Sequence, residues 1–397
     1  MPERAKIVKE SPAPLSRPLR ILTIGHSYCV AMNRSLFREV ARDPDFEITL
    51  VAPKFFQGDL RPIPIEPEPA DSALRIVPLK TRGSRIVHLF SYENRALHRL
   101  IREGHFDIVH AWEEPYILAG FQIAQALRND AAKLCFWTAQ SYLKRYPPPF
   151  AFFERSVLAR ANGWIAQAQL VYETMLRHGY PKESGRTLTL AVDLTAFKPL
   201  SEDARAETLR ELGLKGPVIG FVGRLTQAKG LDVLMQALEK LDAKQPWSLL
   251  LLGSGEYHDK ILDWASARGW RDRVKIKLVT HSEVPRYIGS MDLLVAPSQS
   301  AKNWREQFGR MLVEAFGAGV PVIGSDSGEI PFVIGDAGKV VAEADVAAWT
   351  RAIDELLSKP ALRAELRQRG LLRANKYSVE TIAAQYRDYF RWLADRT

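Results

Sequence analysis

Short apolar, β-branched runs recur along the chain, each followed by a stretch whose apolar residues have helical spacing. In the first half the runs are LRILTIG (19–25), EITLVAP (47–53), DIVHAW (107–112) and KLCFWTA (133–139), with helical stretches such as NRSLFREVAR and YILAGFQIAQALRN between them. The second half restarts the pattern with PVIGFVG (217–223), SLLLLG (248–253), VKIKLV (274–279), DLLVAP (292–297) and PVIGSD (321–326). Strands that are apolar on both faces and alternate with helices are how a buried parallel sheet is written in sequence. The pattern predicts an α/β chain with two doubly wound, Rossmann-like sheets. Their seam falls around AVDLTAFKPLSEDARAETLRELGLKGP (191–217), where the strand pattern lapses, polar residues rise and a short helix intervenes. The expected division is a flexible tail over 1–18, an N-terminal domain over 19–196, a linker over 197–216 and a C-terminal domain over 217–376. A closing helix over 377–397, from SVETIAAQYRDYFRWLADR, is expected to pack back toward the N-terminal domain. No internal repeat of about 20 to 50 residues is present, and neither half carries a complete Walker A motif or a G-x-G-x-x-G fingerprint.

Composition narrows the class. With 397 residues, 46% hydrophobic and 25% charged, the chain reads as an ordinary globular protein of two domains. No apolar run approaches the roughly 18 to 20 residues of a membrane-spanning helix, and the first residues, MPERAKIVKESPAPLSRPLR, are charged and Pro-rich where a signal peptide would be apolar. Two cysteines, Cys29 and Cys135, make neither a disulfide framework nor a metal cage, so a reducing, cytoplasmic setting is expected. The net charge is +9. Residues 1–195 hold 26 Lys and Arg against 20 Asp and Glu, a balance of +6, which leaves +3 for the remainder. Such an excess suits an anionic membrane surface or a phosphorylated substrate, and solubility alone also accounts for it. Zinc-finger spacings and RNP-like aromatic strands are missing, so nucleic acid is not an expected partner.

Three loops carry chemistry. FVGRLTQAKGLDVL delivers Gly223, Arg224, Lys229 and Gly230 to the C-terminal edge of the second sheet, the edge at which open α/β sheets bind ligands. Two cations beside glycines and a helix start suit a diphosphate; a solvated turn with incidental charges is the competing reading. LLLLGSGEY places Gly253 and Gly255 where backbone can approach a flat ligand closely. In WREQFGRMLVEAFGAGVP a helix is predicted from Gly309 or Arg310 to about Ala318, stopped by Gly319 with Pro321 beyond it. Glu314 then lies on the helix among Met311, Leu312, Val313, Ala315 and Phe316, where an unpaired charge is costly to bury. Glu306 lies in the loop before it. Ligand hydroxyls would satisfy Glu314, and an internal salt bridge is the alternative.

These blocks, with EVPRYIGSMDLLVAPSQ and the continuation GAGVPVIGSDSGEIPFVIGDAG, resemble the retaining nucleotide-sugar glycosyltransferases of family 4. The likeness covers most of the chain and is strongest over about 217–340. In the first half DIVHAWEEPYILAG, ANGWIAQAQLVYETMLRHGYP and AVDLTAFKP also look like the family. The resemblance implies a GT-B fold, two Rossmann-like domains facing across a cleft. It implies transfer of a sugar from a nucleoside diphosphate sugar to a hydroxyl acceptor with retained anomeric configuration, in cell-surface polysaccharide or glycolipid synthesis. No metal or other cofactor is called for. By the same resemblance Arg224 and Lys229 hold the donor diphosphate, Glu314 the ribose hydroxyls, and Glu306 with the backbone of Phe308 and Gly309 faces the transferred sugar and phosphate; Glu306, Arg224 and Lys229 are the catalytic set. A nucleotide-sugar epimerase or phosphorylase on the same fold, or a non-catalytic partner subunit, are the alternative functions.

The chain departs from the family in three places. The segment after the first strand reads IGHSYCVAMNR, with only Gly25 where a glycine-rich loop is usual. FWTAQSY carries Gln140 where a histidine commonly stands near the sugar, and glutamine hydrogen-bonds but carries no proton. AVD replaces the usual Gly-Val-Asp before FKP, which weakens Asp193 as a candidate. For the acceptor, a saccharide or lipid-linked saccharide, the candidates are His26, Asn33, His110, Trp112, Glu113 and Gln140; for His110 a satisfied strand-end histidine is the competing reading. Finally, in SRIVHLFSYENRALHRLIREGHF, Arg85, Arg95, Arg99 and Arg102 alternate with apolar residues at near-helical spacing. Such a helix can lay its apolar side on an anionic membrane face as a peripheral contact, or pack on the sheet as any amphipathic helix does.

Overall fold

The computed structural model describes residues 16–57, 62–241, 246–302 and 304–396. Most of the expected tail over 1–18 lies outside them. Two parallel sheets organise the chain. The first holds β1 (Leu19–Ile24), β2 (Phe46–Pro53), β3 (Arg75–Leu79), β4 (Ile108–Ala111), β5 (Lys133–Thr138), β6 (Gly163–Ala166) and β7 (Gly185–Thr187). Its spatial order is β7-β6-β5-β4-β1-β2-β3. The second holds β8 (Val218–Val222), β9 (Ser248–Leu252), β10 (Val274–Lys277), β11 (Leu293–Ala296), β12 (Val322–Ser325) and β13 (Lys339–Val341), in the order β10-β9-β8-β11-β12-β13. Each is doubly wound: the order reverses between β1 and β4 in one and between β8 and β11 in the other. At such a switch point the loops on either side turn to opposite faces and leave a crevice.

Every strand read from an apolar run is present, with ends within about a residue or two of those expected. Four strands had no such signal: β3, β6, β7 and β13. They are three to five residues long, all four lie at or next to a sheet edge, and β3 includes Pro78, whose missing N–H is tolerated only at an edge or bulge.

The linker helix Glu202–Leu212 starts at Ser201, whose hydroxyl accepts from the Ala204 amide, and stops at Gly213 in the left-handed region. The terminal helix Val379–Ala394 crosses back to the first sheet. Its Tyr386, Phe390 and Leu393 share an apolar cluster with Ile21, Phe37 and Ile48, and Arg391 pairs with Asp45 at 2.8 Å. The chain therefore ends by fastening its second half onto its first.

The basic segment resolves differently from its membrane reading. Only Asn94–Gly104 is helical, so Arg85 stands outside it, and the helix's apolar residues Leu97 and Ile101 are buried in the N-terminal core. Arg95, Arg99 and Arg102 are exposed. A helix whose apolar side is already used cannot insert it into lipid; only its charge remains available. Among the described residues no helix is long and apolar enough to cross a membrane.

Candidate active site

The C-terminal edges of the two sheets face one another, and two side chains cross between them. Gln307, in the loop before the helix Arg310–Gly317, donates to the Ala139 carbonyl beyond β5 at 2.9 Å. Glu329 accepts from the amides of Gln169 and Leu170 at 2.9 and 3.0 Å, at the start of the helix Gln169–Arg177 in the other domain. A buried carboxylate against a helix N-terminus is favourable because it meets unpaired N–H groups and the positive end of the helix dipole. Burial nevertheless raises the Glu329 pKa above the ordinary range, with the two amides opposing. Glu329 escaped sequence reading because its partners lie 160 and 159 residues away.

On the second sheet, Gly223 and Gly253 follow β8 and β9. Gly253 has φ 150°, and a Cβ there would lie 1.9 Å from the Gly223 carbonyl oxygen, so the two strand ends approach as only glycine permits. Arg224 is exposed and makes no ion pair among the described residues. Lys229 does: its Nζ lies 2.5 Å from Glu306 Oε2, with both side chains largely buried, 5.0 Å from the centroid of the Trp304 ring. Ser298 Oγ donates to the same carboxylate oxygen at 3.0 Å. The Glu306 backbone carbonyl accepts from the Glu329 amide, and Gly328 packs against it so closely that a Cβ would lie 2.0 Å away. Sequence placed Lys229 and Glu306 on the same ligand; the structure brings them into contact with each other, because opposite charges in an enclosed site neutralise one another.

The helix Arg310–Gly317 lies where the periodicity put it. Gly309, at φ 79°, opens it in a conformation costly for other residues, and Gly319, at φ 70°, follows its end. Among the described residues the backbone N–H groups of Phe308 and Gly309 have no acceptor. Phe308 itself is buried. Glu314 is 5% exposed and makes neither hydrogen bond nor ion pair among the described residues; burial lifts its pKa to about 7, opposed by the charge of Arg310. The internal salt bridge that would have given Glu314 a structural role is thus not formed there.

In the N-terminal domain the structure separates the acceptor candidates. His26 and Glu113 come together: Glu113 accepts from the His26 amide and shares a 2.7 Å hydrogen bond with His26 Nδ1, and it accepts from the Tyr92 hydroxyl at 2.7 Å. Glu113 is therefore a buried fixing point for His26 rather than a surface that a sugar meets. Asn33 donates to the Ser27 carbonyl at 2.9 Å and, with Trp112, lines a cavity between the domains. Gln140 is 8% exposed and donates to the Tyr116 hydroxyl at 2.9 Å, next to the Gln307 crossing. His110 lies behind Trp112, ring centroids 5.7 Å apart, in the core. It is fully buried, bonded through Nδ1 to Thr23 Oγ1 at 2.9 Å and packed against Phe37, Tyr386 and Phe390, and burial drives its pKa down to about 3. As an acceptor ligand it is corrected: the terminal helix covers it. Glu114, the neighbour of Glu113, accepts from Thr138 Oγ1 and the Ala139 amide, and burial raises its pKa to about 7. Among the described residues no three His, Cys, Asp or Glu side chains converge as a metal cage.

Residues 205–373, which include every second-sheet loop described above, match the family model of the glycosyl transferases group 1. Through this segment the chain is similar to the glycosyl transferases group 1. The chain is 30% identical over 243 residues to a D-inositol 3-phosphate glycosyltransferase of Rhodococcus opacus (strain B4), a match covering 58% of this chain and 53% of that protein. The chain spans between about half and just under two thirds of the length of several such curated relatives. Its fold is that of a glycosyltransferase from Rickettsia africae ESF-5, with TM-score 0.76 and 15% identity over 96% of this chain and 100% of the other. A second structure sharing the fold is Anabaena Alr3699/HepE in complex with UDP, with TM-score 0.72 and 15% identity over 94% of this chain and 100% of the other. The chain thus has the GT-B fold, two Rossmann-like domains facing across a cleft.

Proposed function

We propose that the chain is a group 1 glycosyltransferase that moves a sugar from a nucleoside diphosphate sugar to a hydroxyl acceptor, with retention of anomeric configuration and without a metal. The observation that carries the reading is Glu314: a buried carboxylate with no partner among the described residues, four residues after a helix start whose amides are unpaired. Ribose hydroxyls donating to Glu314 would supply what its burial demands. The diphosphate would then lie against Arg224, Lys229 and the Phe308 and Gly309 amides, and Lys229 would exchange its Glu306 contact for phosphate. Arg224, Lys229 and the amides are preorganised donors for the negative charge that grows on the leaving phosphate, which supplies the stabilisation a metal gives elsewhere. The anomeric carbon–oxygen bond breaks toward the phosphate. The acceptor oxygen bonds to the same face, and its proton passes to the leaving phosphate oxygen. Gln140 stays a hydrogen-bonding group in this scheme, so no histidine is needed at that position.

The test is a thermal-shift screen of nucleotide sugars followed by product analysis. A ligand bound only by the folded chain at a hundredfold excess over its Kd stabilises by about 2.7 kcal/mol. The expected result is one donor class that raises Tm, with turnover that survives a chelator and a product whose anomeric coupling matches the donor. Conversion of the donor sugar with the nucleotide still attached would make the chain an epimerase instead, and absence of any stabilising nucleoside diphosphate would make it a partner subunit.

The acceptor, in this reading, is a saccharide presented at an anionic surface for cell-surface glycan synthesis. Support comes from the exposed Arg95, Arg99 and Arg102, with the exposed apolar Ile86 and Leu89 a few residues earlier in the chain. With the helix's apolar side in the core, attraction is expected to be electrostatic: co-sedimentation with anionic vesicles at low salt that is lost at high salt. Equal sedimentation with neutral vesicles, or none at low salt, would place the acceptor in solution.

A further inference from the structure

A cavity of about 180 Å³ lies between the domains, lined by the loop after β1, by Leu190 and Ala191, and by the rings of Trp112 and Trp137 as its floor. Its floor is a stack: Trp112 and Trp137 lie 5.0 Å apart at 14°, and Tyr386 follows at 6.5 Å and 16°. Among the described residues three polar groups that line it have no hydrogen-bond or ion-pair partner. The Trp137 indole N–H is buried without an acceptor. Gln167, 5% exposed, makes no side-chain hydrogen bond among the described residues. Arg310 is the one charged residue of the lining and forms no ion pair there. Its position makes this informative, since Glu314 stands four residues on along the same helix, at the spacing where opposite charges pair. The guanidinium lines the cavity and makes no ion-pair contact with that carboxylate among the described residues, although its charge still opposes the rise in the Glu314 pKa. Buried polar groups ordinarily find partners; the Trp137 N–H and Gln167 failing together around one space, beside the partly exposed Arg310 and with no carboxylate in the lining, describe a site for a complementary group.

We infer that this cavity receives an oxyanion, phosphate or carboxylate, carried by the acceptor, with Arg310, the Trp137 N–H and Gln167 as its donors. The inference rests on the proposed transferase reading and deepens it, since it names the class of acceptor: an anionic saccharide whose charged group is fixed beside the donor helix. Arg310 is then a specificity-determining residue distinct from Arg224 and Lys229. An arginine fork matches either anion, because both present two oxygens in a plane.

The experiment uses the full chain labelled with ¹⁵N, in which the Trp137 indole resonance is assigned by Trp137→Phe, a change that keeps the ring stack. The nucleoside diphosphate that stabilises the chain in the donor screen is added to saturation, so that the diphosphate site is filled, and inorganic phosphate or acetate is titrated. The expected result is a saturable downfield shift of the Trp137 indole proton with at least one of the two anions, weakened tenfold or more in Arg310→Met. Should Arg310→Met lose its melting transition, Gln167→Met serves in its place. Response to phosphate alone identifies a phosphorylated acceptor, and response to acetate alone an acidic sugar. An indole resonance indifferent to both anions, or one that shifts equally in the Arg310→Met and Gln167→Met chains, overturns the inference. Neither of those results touches the transferase reading, which fails separately if no nucleoside diphosphate binds.

Discussion

Replacing Lys229 by alanine is expected to lower turnover by about two to three orders of magnitude, the range seen when one preorganised donor to a developing charge is removed. Arg224→Ala is expected to act in the same direction. Stability should separate the two. Arg224 is exposed and without an ion-pair partner among the described residues, so its loss leaves Tm unchanged within error. Lys229 is bonded at 2.5 Å to the largely buried Glu306, and removing one partner of such a pair strands the other charge at a cost of about 3 kcal/mol or more. The Ser298 hydroxyl bond to Glu306 softens that loss without replacing it. Adding Glu306→Gln to Lys229→Ala should therefore restore Tm while leaving turnover low. Turnover near that of the unaltered chain in both single variants, with a confirmed donor, would remove them from the diphosphate site; a Tm unchanged in Lys229→Ala would mean that the Glu306 pair contributes nothing to folding.

Glu314→Gln is expected to stabilise the chain above neutral pH and to weaken nucleotide binding together. With a folded pKa of about 7 against an ordinary 4.5, Glu314 holds its proton more tightly folded than unfolded. Stability is therefore lost as pH rises from about 4.5 through 7, and the full penalty, about 3 kcal/mol, is present above 7. Glutamine keeps the shape and removes the charge, so the variant's Tm should fall less over that interval. Glu114 is raised to about 7 by the same cause and keeps its share of the slope, so the profile flattens without becoming level. Nucleotide affinity should move the other way. Hydrogen bonds from ribose hydroxyls to a carboxylate contribute about 1.5–3 kcal/mol, so glutamine should weaken binding by about tenfold to a hundredfold. In the unaltered chain, affinity should increase as pH rises through 7, because binding needs the ionised acid. Calorimetric titration at two pH values and melting curves across the range check both halves. A variant that binds nucleotide as tightly as the parent while melting much earlier would return Glu314 to a structural role.

Two readings left open in the first half are decided by one cause. His110 and the helix Asn94–Gly104 have the composition of surface chemistry: a histidine near a strand end, and arginines among leucines. What decides their state is what packs over them. The terminal helix brings Tyr386 and Phe390 onto His110 from more than 270 residues away along the chain, and the N-terminal core takes up Leu97 and Ile101. Local spacing says that a face is apolar; it does not say whether protein or solvent covers it. The Trp-Glu-Glu cluster divided for the same reason. Trp112 reaches the cavity, whereas Glu113 turns inward to His26 and Tyr92.

By itself the sequence determined what is encoded within about one strand or helix. The strands of two buried parallel sheets, the glycine-bearing loops after β8 and β9 and the helix Arg310–Gly317 with Gly319 behind it all follow from period, turn chemistry and caps. The cost of burying Glu314 was legible too, because its neighbours on the helix are apolar. Only the tertiary structure decided which charges meet. Lys229 and Glu306 lie 77 residues apart, Glu329 reaches amides 160 residues earlier, and Arg310, Trp137 and Gln167 converge from two domains. A hydrogen bond or ion pair acts over a few ångströms of space, and chain period fixes neighbours only along one element. The folding of two sheets against each other sets the rest.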